Sequence, residues 1–521
     1  MINWQLRYSK ILANEPKLFD PKYSVLEIEP GDNGAAKFLN RKVYGVQSSF
    51  GLKVHPFLMP QMGTAEALPY ADDSVDFTIC MDVLANLEPE KREKAVKEIV
   101  RVTKESAWVA FPSGGHARLM ELSLHESFNK FNLKSPEWLV EHLSNALPKL
   151  EEILLMLKDE NCDLEISVNE YLGDHFNALM ADLFMPRYRE IFNLRVSKIG
   201  KLNPFVEDKF DFPYSILLKI SKNIRRNRVA TNALIVRPKG PELNIKIYSV
   251  SHVFSNEYGS IFPRSITPLY VGDAAKPARR GGLESDILET EAVLDNGRWC
   301  ELTGIHKIWK SAHNFSHVGF CHYRRLFNFS ETFELTSALT ETPGFQRSTN
   351  IRADDLAQAR HNLSPDSSLF DETETIIVPP PAILPTGILE QYTIAHSASD
   401  YLKVLSIIYN DYPGFREVLS KTTADNHMFA NNMFILSSNL FDELCAFWFG
   451  VLLKFEADNQ KPNGNDKIQS RDIAYLSERV FDIWIKKKIG EGIKTKFVPI
   501  YNIRYEKLKM DEWSPTNFLV S

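Results

Sequence analysis

The sequence predicts an α/β protein of two domains, and three observations lead to this fold class. At 521 residues the chain is longer than one hydrophobic core usually organises. Strand-like and helix-like segments alternate from about residue 20 to 115, which is typical of a parallel, doubly wound sheet. The segment Arg237-Pro238-Lys239-Gly240-Pro241 is built like a linker and is followed by a new strand. We therefore expect domains at 1–236 and 242–521.

Composition narrows the class of protein. Hydrophobic residues make up 44% and charged residues 25%, which describes an ordinary globular chain. A net charge of -6 gives no reason to expect nucleic acid. The five cysteines are scattered without a Cys-x-x-Cys pair, so they predict buried thiols in a reducing compartment. The amino terminus is not built like a signal peptide, and no apolar run approaches the roughly 20 residues that cross a bilayer. We expect a cytoplasmic protein.

The first domain opens with a strand at 24–28, a turn at 29–34 and a helix from Ala35. Apolar residues at helical spacing predict a helix at 89–102. Residues 118–200 are predicted to be mainly helical, because apolar residues between Val140 and Leu154 form an amphipathic stripe typical of a packing layer. Further strands are predicted at 42–46, 75–80 and 107–111.

The second domain repeats the strand and helix pattern. Its basic loop at 276–280, like the basic stretch at 222–228, could lie on anionic lipid or receive a lipid diphosphate, with solvated loop charge as the alternative. The predicted strands are 245–250, 318–321, 375–378 and 433–436. The predicted helices are 301–311, 401–409, 415–420, 440–455 and 471–489.

Two adjacent arginines, Arg324 and Arg325, follow the buried strand at 318–321. Desolvated guanidinium groups need anionic partners, and ligands of α/β sheets bind beyond the carboxyl ends of the strands. The sequence therefore predicts a diphosphate site here. The alternative is that both arginines form structural salt bridges, for which Glu301 and Glu478 are available.

Several segments of the first domain together carry a family resemblance. They are Val25-Leu26-Glu27-Ile28-Glu29-Pro30-Gly31, Ala65 to Tyr70, Asp73 to Phe77, Asp82 to Leu84, Glu98 to Val102, and Pro112. This pattern resembles class I S-adenosylmethionine-dependent methyltransferases, which implies a Rossmann-like fold with helical additions. In an active domain the resemblance would place the cofactor at Glu27, Gly31, Gly34, Gln47, Ala65, Glu66 and Asp82.

The same domain departs from that family at four places. Glu29 replaces a glycine, and its carboxylate would conflict with that of the cofactor. Gln47 replaces a residue that is usually acidic, and Thr64 replaces one that is usually acidic or an amide. The segment 104–107 lacks the usual Pro-Gly-Gly turn. We therefore expect weak or absent S-adenosylmethionine binding. The domain could then persist as a scaffold or docking module, while an active domain would make the protein bifunctional.

Six ordered blocks carry the resemblance of the second domain. They are Lys246-Ile247-Tyr248 with Ser251-His252, Cys300 to Thr303, Trp309-Lys310, Gly319 to Arg325, Asn432 to Ile435, and Arg471 with Ser477 to Arg479. They resemble the bacterial exopolysaccharide and capsule biosynthesis family that includes galactofuranosyltransferase-type domains. The resemblance implies a GT-A-like fold and transfer of a sugar from a nucleotide donor, expected to be linked to uridine diphosphate. The donor-binding residues predicted by motif and position are Ser251, His252, Glu301, His322, Tyr323, Arg324, Arg325, Asn432 and Arg471.

Three of these assignments have a structural alternative. Ser251 and His252 could instead cap the strand end, and Glu301 could be a buried, paired structural acid. Arg471 could pair with Glu478 or Asp472 rather than with a diphosphate.

Many GT-A enzymes hold a divalent metal with an Asp-x-Asp triplet, and this chain contains none. The hypothesis is that bidentate arginines take over the electrostatic role of the metal, so that no metal is required. An inverting transfer also needs a base near the acceptor hydroxyl. Asp425 and His427 are the first candidates for this base, and His396 and Asp400 are the second choice.

Together these features predict a glycosyltransferase that acts on a surface polysaccharide or lipid-linked glycan, in the cytoplasm or at the inner face of the membrane. No nucleic-acid partner is expected. The alternatives are a bifunctional enzyme that also methylates the glycan, and a non-catalytic scaffold for polysaccharide assembly.

Overall fold

The computed structural model describes most of the chain. The described residues are 2–130, 132, 134–176, 179, 212–222, 243–254, 262–281, 283–286, 294–311, 314–330, 332, 348–356, 358–370, 374–423, 425–459 and 471–504, with side chains from residue 7 onward.

Strands and helices alternate through both halves of the described chain. The strands are β1 Val25–Ile28, β2 Val43–Gln47, β3 Leu58–Met62, β4 Val75–Met81, β5 Thr103–Pro112, β6 Cys162–Tyr171, β7 Pro213–Lys222, β8 Ile245–Ser251, β9 Ile266–Tyr270, β10 His317–His322, β11 Arg325–Phe327, β12 Ser348–Arg352, β13 Thr375–Val378, β14 Ala382–Ile383, β15 His427–Met428, β16 Phe434–Ser437, β17 Lys494–Phe497 and β18 Ile500–Arg504. The α-helices are α1 Ile2–Asn14, α2 Ala36–Leu39, α3 Val83–Asn86, α4 Pro89–Val102, α5 Gly115–Lys130, α6 Glu137–Ser144, α7 Leu150–Leu157, α8 Ala275–Arg280, α9 Asn296–Trp299, α10 Leu302–Lys310, α11 Ile388–Thr393, α12 Ala398–Asp411, α13 Arg416–Thr422, α14 Ser438–Asp458 and α15 Asp472–Gly490. Short 3-10 helices lie at Pro16–Phe19, Gly272–Ala274, Ala353–Asp355, Arg360–Leu363, Ser367–Phe370 and Pro413–Phe415.

The chain folds into two compact units, each of which is built from two separate segments. Unit 1 comprises 1–228 and 389–423, and unit 2 comprises 229–388 and 424–521. The sequence-based division placed 389–423 in the second domain, whereas the structure packs this segment on the first unit. The predicted linker at 237–241 lies outside the described residues.

The edge strand β6 explains why 389–423 belongs to unit 1. Asn410 Oδ1 of α12 accepts a hydrogen bond from Leu164 N at 2.8 Å, and Ser406 Oγ accepts one from Ile166 N at 2.9 Å. Both amides would otherwise be unpaired on the open side of the sheet. The predicted helices at 401–409 and 415–420 are therefore found, but they cover an edge that local sequence does not reveal.

The sheet of unit 1 has seven strands in the order β3-β2-β1-β4-β5-β7-β6. The first five run parallel, and β7 is antiparallel to both of its neighbours. The sheet is therefore Rossmann-like but not parallel throughout. The prediction of a mainly helical 118–200 is wrong for β6, because Cys162, Leu164 and Ile166 bury alternate positions with a strand period of two.

Unit 2 contains a mixed nine-stranded sheet with β10 at its centre. β10 runs parallel to β8 and antiparallel to β16, with His322 opposite Val250 and Phe320 opposite Phe434. The carboxyl ends of β8 and β10 and the start of β16 therefore lie at one edge of the sheet. Seven short strands in the described part of this unit were not predicted: β9, β11, β12, β14, β15, β17 and β18. Apart from β11, which also forms a hairpin with β10, they pair only with segments that are distant in sequence.

The core of unit 2 is completed by α14 and α15, whose predicted positions are confirmed. Trp299, Trp448 and Trp484 are fully buried, and Trp448 Nε1 donates to Ser477 O at 2.9 Å. All five cysteines are free thiols, and only Cys300 is partly exposed. Of the helices in the described ranges, none is long and apolar enough to span a bilayer.

Candidate functional site

The tip of the β10–β11 hairpin forms the centre of the candidate site in unit 2. His322 pairs with Arg325 across a two-residue turn made by Tyr323 and Arg324. Tyr323 is buried in the core of the unit, so the turn is anchored, and the guanidinium of Arg324 lies 5.3 Å from the centre of the Tyr323 ring. The hairpin thus carries two cations at the sheet edge where ligands of α/β folds bind.

These arginines lack the acidic partners that a structural role would require. Within the described ranges, no carboxylate oxygen lies within 4.0 Å of a guanidinium nitrogen of Arg324, Arg325 or Arg471. Arg324 Nε is buried and has no hydrogen-bond partner there. Arg324 and Arg325 are partly buried, whereas Arg471 is exposed. A guanidinium group that is withdrawn from water without a partner is costly, so the two hairpin arginines favour an external anion.

The carboxylates that could have neutralised the arginines are occupied elsewhere. Glu478 binds Arg479 Nη1 at 3.0 Å and accepts from Asn431 N at 3.1 Å. Asp472 binds two nitrogens of Arg298 at 2.6 and 2.9 Å. The alternative pairings of the arginines with these two acids are therefore absent from the described structure.

The arginines dominate the electrostatic environment of the two histidines. Burial and the charges of Arg325 and Arg324 hold the pKa of His322 well below its ordinary value. Burial also lowers the pKa of His252, and the charges of Arg471 and Arg324 lower it further. Both imidazoles are thus neutral near pH 7, and the positive charge of the site resides on the arginines.

Glu301 and Asn432 form a second element of the site. Asn432 Nδ2 donates to Glu301 Oε1 and to Ser477 Oγ, both at 2.8 Å. Asn431 and Asn432 both adopt left-handed backbone, with φ of 72° and 49°. Burial raises the pKa of Glu301, and the neighbouring charge of Glu478 adds to this shift. Consecutive left-handed residues are energetically costly, and such backbone is concentrated at ligand sites.

Asn432 Oδ1 adds a free acceptor to this element. It is buried and has no hydrogen-bond partner within the described ranges. The side chain is fixed through its Nδ2 atom, so Oδ1 is available to a donor such as a sugar hydroxyl.

Ser251 and His252 differ in their surroundings. Ser251 Oγ donates to Val253 O at 2.8 Å and accepts from Val253 N at 3.1 Å, which closes the turn after β8. These contacts are those of the strand-end cap considered as an alternative. His252 meets the edge of the Tyr323 ring at 5.3 Å, which joins it to the arginine hairpin.

Asp425 and His427 lie near β15 and contact each other. His427 Nδ1 lies 3.2 Å from Asp425 Oδ1, and Lys486 Nζ lies 2.9 Å from Asp425 Oδ2. Burial alone would raise the pKa of Asp425, but Lys486 and the hydrogen bonds from His427 outweigh it and lower the pKa. No hydrogen bond or ion pair between described residues joins Asp425 or His427 to the arginines. The second-choice bases, His396 and Asp400, belong to unit 1.

Across the ranges that the structure describes, no group of three or more His, Cys, Asp and Glu side chains is placed to hold a metal ion.

The glycine turn of unit 1 keeps part of the expected cofactor geometry. Glu27 Oε2 accepts from Ala35 N at 2.6 Å, and Glu27 Oε1 accepts from Tyr8 Oη at 2.5 Å. Burial raises the pKa of Glu27 to about 7. Gly34 has φ of +51°, and a Cβ there would lie 2.2 Å from Glu27 Oε2, so only glycine fits. Gly31, with φ of +62°, has open space beside it.

Other residues of that turn do not fit S-adenosylmethionine as the resemblance implies. Glu29 stands in left-handed backbone with φ of 50°. Burial raises its pKa, and the charges of Glu66 and Glu141 raise it further. Gln47 Oε1 accepts from Gly31 N at 2.9 Å and Gln47 Nε2 donates to Ser49 O at 2.5 Å, so this amide is already occupied.

The remaining expected cofactor residues of unit 1 lie in two places. Ala65 is buried and Glu66 is partly exposed, both in a turn closed by the bridge between Thr64 and Ala67. Asp82 follows β4 and binds Arg7 at 2.8 Å.

Two family models match the chain. The description "Methyltransferase domain" applies to residues 34–111, and "Domain of unknown function (DUF4422)" applies to 246–489. The first match confirms the predicted methyltransferase resemblance, although it begins after Glu29. The second spans all six blocks that predicted a glycosyltransferase-like domain. No curated protein matches the chain.

Solved structures are similar to parts of the chain. The WbbM bifunctional glycosyltransferase is 22% identical, and the match covers 50% of this chain and 45% of that one with a TM-score of 0.40. YcgJ of Bacillus subtilis is 18% identical over 42% of this chain and 99% of its own, with a TM-score of 0.26. A phosphoethanolamine N-methyltransferase of Haemonchus contortus is 19% identical over 42% of this chain and 53% of its own, with a TM-score of 0.28. At these TM-scores the similarities assign no activity, and this chain aligns with less than half of WbbM.

Proposed function

Since the chain joins a methyltransferase domain to a DUF4422 domain, we propose that unit 2 is a glycosyltransferase that uses a nucleoside diphosphate sugar. The observation that supports the proposal is the group of Arg324, Arg325 and Arg471, none of which forms an ion pair with a carboxylate in the described structure. The first two lie on the β10–β11 hairpin, at the edge of the sheet where α/β folds generally bind ligands, and all three act on His252 or His322. A diphosphate supplies the anionic oxygens that these guanidinium groups lack.

The chemistry follows from the charge of the leaving group. The bond between the anomeric carbon and the diphosphate oxygen breaks, and the bond from an acceptor hydroxyl to that carbon forms. Negative charge grows on the departing diphosphate, and fixed guanidinium groups stabilise it in the transition state more than in the ground state. Arginine stays protonated throughout, so it replaces the electrostatic role of a metal without proton transfer.

The acceptor hydroxyl must lose its proton as the new bond forms. We assign this proton to Asp425 or His427, which contact each other at 3.2 Å. Asn432 Oδ1 and Glu301 are assigned to hydroxyls of the donor sugar, because one is an unpaired buried acceptor and the other is a carboxylate beside it. Ser251, His252, His322 and Tyr323 shape the remainder of the donor site.

The finer identity of the reaction rests on the sequence resemblance alone. We propose uridine diphosphate galactofuranose as the donor, and a surface polysaccharide or lipid-linked glycan as the acceptor. The enzyme would act in the cytoplasm, with peripheral contact to the inner face of the membrane where the acceptor is anchored. The methyltransferase domain is assigned no reaction, because Glu29 and Gln47 do not fit the cofactor.

The test is donor hydrolysis and transfer by the full chain with uridine diphosphate galactofuranose and other uridine diphosphate sugars. Arg324→Ala should reduce turnover by about a hundredfold or more, as loss of a transition-state charge partner does. Arg352→Ala, an exposed arginine of the same unit, is the matched control. Equal activity of the Arg324 and Arg352 variants, or activity abolished by a chelator and restored by manganese, would refute the proposed role of arginine.

A further inference from the structure

A second cluster of buried polar groups lies in unit 1, away from the glycine turn. Asp82 directly follows β4, Glu170 is near the end of β6, and Tyr214 is at the start of β7. Because β7 runs antiparallel to its neighbours, these three positions share one edge of the sheet. Arg7 of α1, Glu121 of α5, His142 of α6 and His175 complete the cluster. The unit therefore gathers seven titratable side chains at the edge where α/β folds bind ligands.

The cluster is organised by short contacts in two groups. Arg7 Nη1 binds Asp82 at 2.8 Å, and Arg7 Nε lies 3.7 Å from Glu170 Oε1. His175 Nδ1 lies 2.5 Å from Glu170 Oε2. These contacts fix the carboxylates of Asp82 and Glu170 and the ring of His175.

The second group is centred on Glu121. Glu121 Oε1 accepts from Tyr214 Oη at 2.9 Å and contacts His142 Nδ1 at 2.8 Å. The rings of His175 and Tyr214 stack at 3.6 Å, which joins the two groups.

Each group leaves buried atoms without a hydrogen-bond partner, although Glu170 Oε1 keeps its ion pair with Arg7. Asp82 Oδ1, Glu121 Oε2, Glu170 Oε1 and His175 Nε2 are buried and make no hydrogen bond to any described residue. An unsatisfied buried polar atom costs about 1–3 kcal/mol, so a concentration of them in a folded protein indicates a bound species. Three of the four atoms are carboxyl oxygens, which accept hydrogen bonds when the groups are ionised. A bound species that donates several hydrogen bonds would satisfy them.

We propose that this cluster is a binding site for a neutral, polyhydroxylated ligand, a saccharide, whose hydroxyls donate to Asp82, Glu121 and Glu170. With its Nδ1 proton donated to Glu170, His175 presents Nε2 as an acceptor for a further hydroxyl. A cationic ligand fits less well, because Arg7 already lies against Asp82 and Glu170, and His142 lies against Glu121. Neither the glycosyltransferase activity nor S-adenosylmethionine is required for this site.

The experiment must separate this site from sugar binding by unit 2. The full chain carrying Glu301→Ala and Asn432→Ala, which lacks the side chains assigned to the donor-sugar hydroxyls in unit 2, serves as the background. Saturation-transfer difference NMR with methyl β-galactopyranoside, methyl β-galactofuranoside and methyl α-mannopyranoside then measures binding to unit 1. Tetramethylammonium chloride is the cationic probe.

We expect at least one glycoside to bind in this background and tetramethylammonium to give no signal. His175→Ala should weaken glycoside binding about tenfold, the effect of one lost hydrogen bond of about 1.4 kcal/mol. His175→Gln, which keeps an acceptor, should restore part of it, and His55→Gln of the same unit should change nothing. Absence of glycoside binding, binding of the cation instead, or equal binding by the His175→Ala and His55→Gln variants would overturn the proposal.

A structural readout covers variants that fail to fold. A crystal of the unaltered chain soaked in the binding glycoside should show the sugar in contact with Asp82 and Glu121. Water alone among these carboxylates would refute the site.

Discussion

His322 and Arg325 face each other across the two-residue turn between β10 and β11, so a neutral imidazole and a guanidinium share the end of one buried strand. The pairing fixes the backbone of Arg325. Burial and the neighbouring Arg324 lower its pKa more than the charges of Glu478 and Glu301 raise it, and no carboxylate of the described ranges forms an ion pair with it. A guanidinium held in this way is prepared for an anion and needs little reorganisation when one binds.

Arg325→Lys tests whether the fork geometry matters in addition to the charge. Lysine keeps a positive charge but cannot make two parallel hydrogen bonds to a phosphate. We expect kcat/KM for the nucleotide sugar to fall about tenfold in this variant and further in Arg325→Ala. Arg352→Lys provides the control on the exposed strand β12. An Arg325→Lys enzyme as active as the unaltered one would show that charge alone suffices.

Asp425 and His427 are tested as the acceptor base by separating transfer from donor hydrolysis. Asp425→Asn and His427→Gln should each slow glycan transfer about a hundredfold, because general base catalysis contributes on this scale. The affinity for the donor should remain unchanged. Glu301→Gln is the informative comparison, since its carboxylate is buried and bonded to Asn432. If transfer responds to Glu301→Gln and not to the other two variants, the base has been assigned to the wrong acid.

Glu29→Gly tests the proposed misfit of the methyltransferase turn. The unaltered chain should bind S-adenosylmethionine weakly or not at all in calorimetry, because Glu29, Glu66 and Glu141 place three carboxylates near one another. Removing the Glu29 side chain should raise the affinity by about tenfold or more, since about 1.4 kcal/mol of repulsion is enough for that. Glu29→Gln distinguishes charge from bulk. Low-micromolar affinity of the unaltered chain would contradict this prediction.

The raised pKa of Glu27 predicts that the stability of unit 1 depends on pH. Burial raises its pKa from 4.5 to about 7, so the folded state holds a proton that the unfolded state releases. The stabilising contribution of this proton is complete below about pH 4.5 and is lost as the pH rises through about 7. We expect a loss of about 3 kcal/mol over this range, measured by urea unfolding of the unit. Glu27→Gln should remove the slope, whereas exposed Glu93→Gln should retain it.

Cys300 adopts φ of 47° and ψ of -123°, a backbone conformation that suits glycine. Cys300→Gly should therefore raise the free energy of unfolding of unit 2 by about 1 kcal/mol, seen as a higher melting temperature. Cys300→Ala removes the thiol and keeps the strained backbone, so it should give no gain. A gain of the same size in both variants would mean that the thiol, rather than the backbone, is unfavourable.

Much of this architecture is encoded locally. The strand ending at Cys321 and the glycine turn are read from short apolar runs and turn residues, and both occur where the pattern predicts. The Arg324–Arg325 pair was identified because two adjacent cations after a buried strand are rare without a ligand. The strand β6 could have been found from its alternating burial, had the preceding helical stripe not been extended through it.

Other features depend on long-range contacts that local sequence does not contain. The left-handed backbone of Asn431 and Asn432 depends on partners more than forty residues away, Glu478 and Ser477. The buried cluster around Glu121 and Glu170 was missed because its members are spread from Arg7 to Tyr214 and form no motif. The Asn-Asn pair is a sequence signal for left-handed backbone and could have indicated the turn at 431–432. Acidic residues at the ends of apolar strands could have indicated the buried cluster.

The two-segment construction of unit 1 has a consequence for biosynthesis. A nascent chain that has emerged only as far as residue 228 still lacks Ser406 and Asn410. The backbone amides of Leu164 and Ile166 in β6 then have no hydrogen-bond partner and can pair with a strand of another chain. Folding of unit 1 cannot be completed until residue 423 has left the ribosome, and by then residues 229–388 of unit 2 have already emerged. Truncation after residue 228 should therefore give a fragment that is prone to aggregation. Expression of unit 1 requires both of its segments.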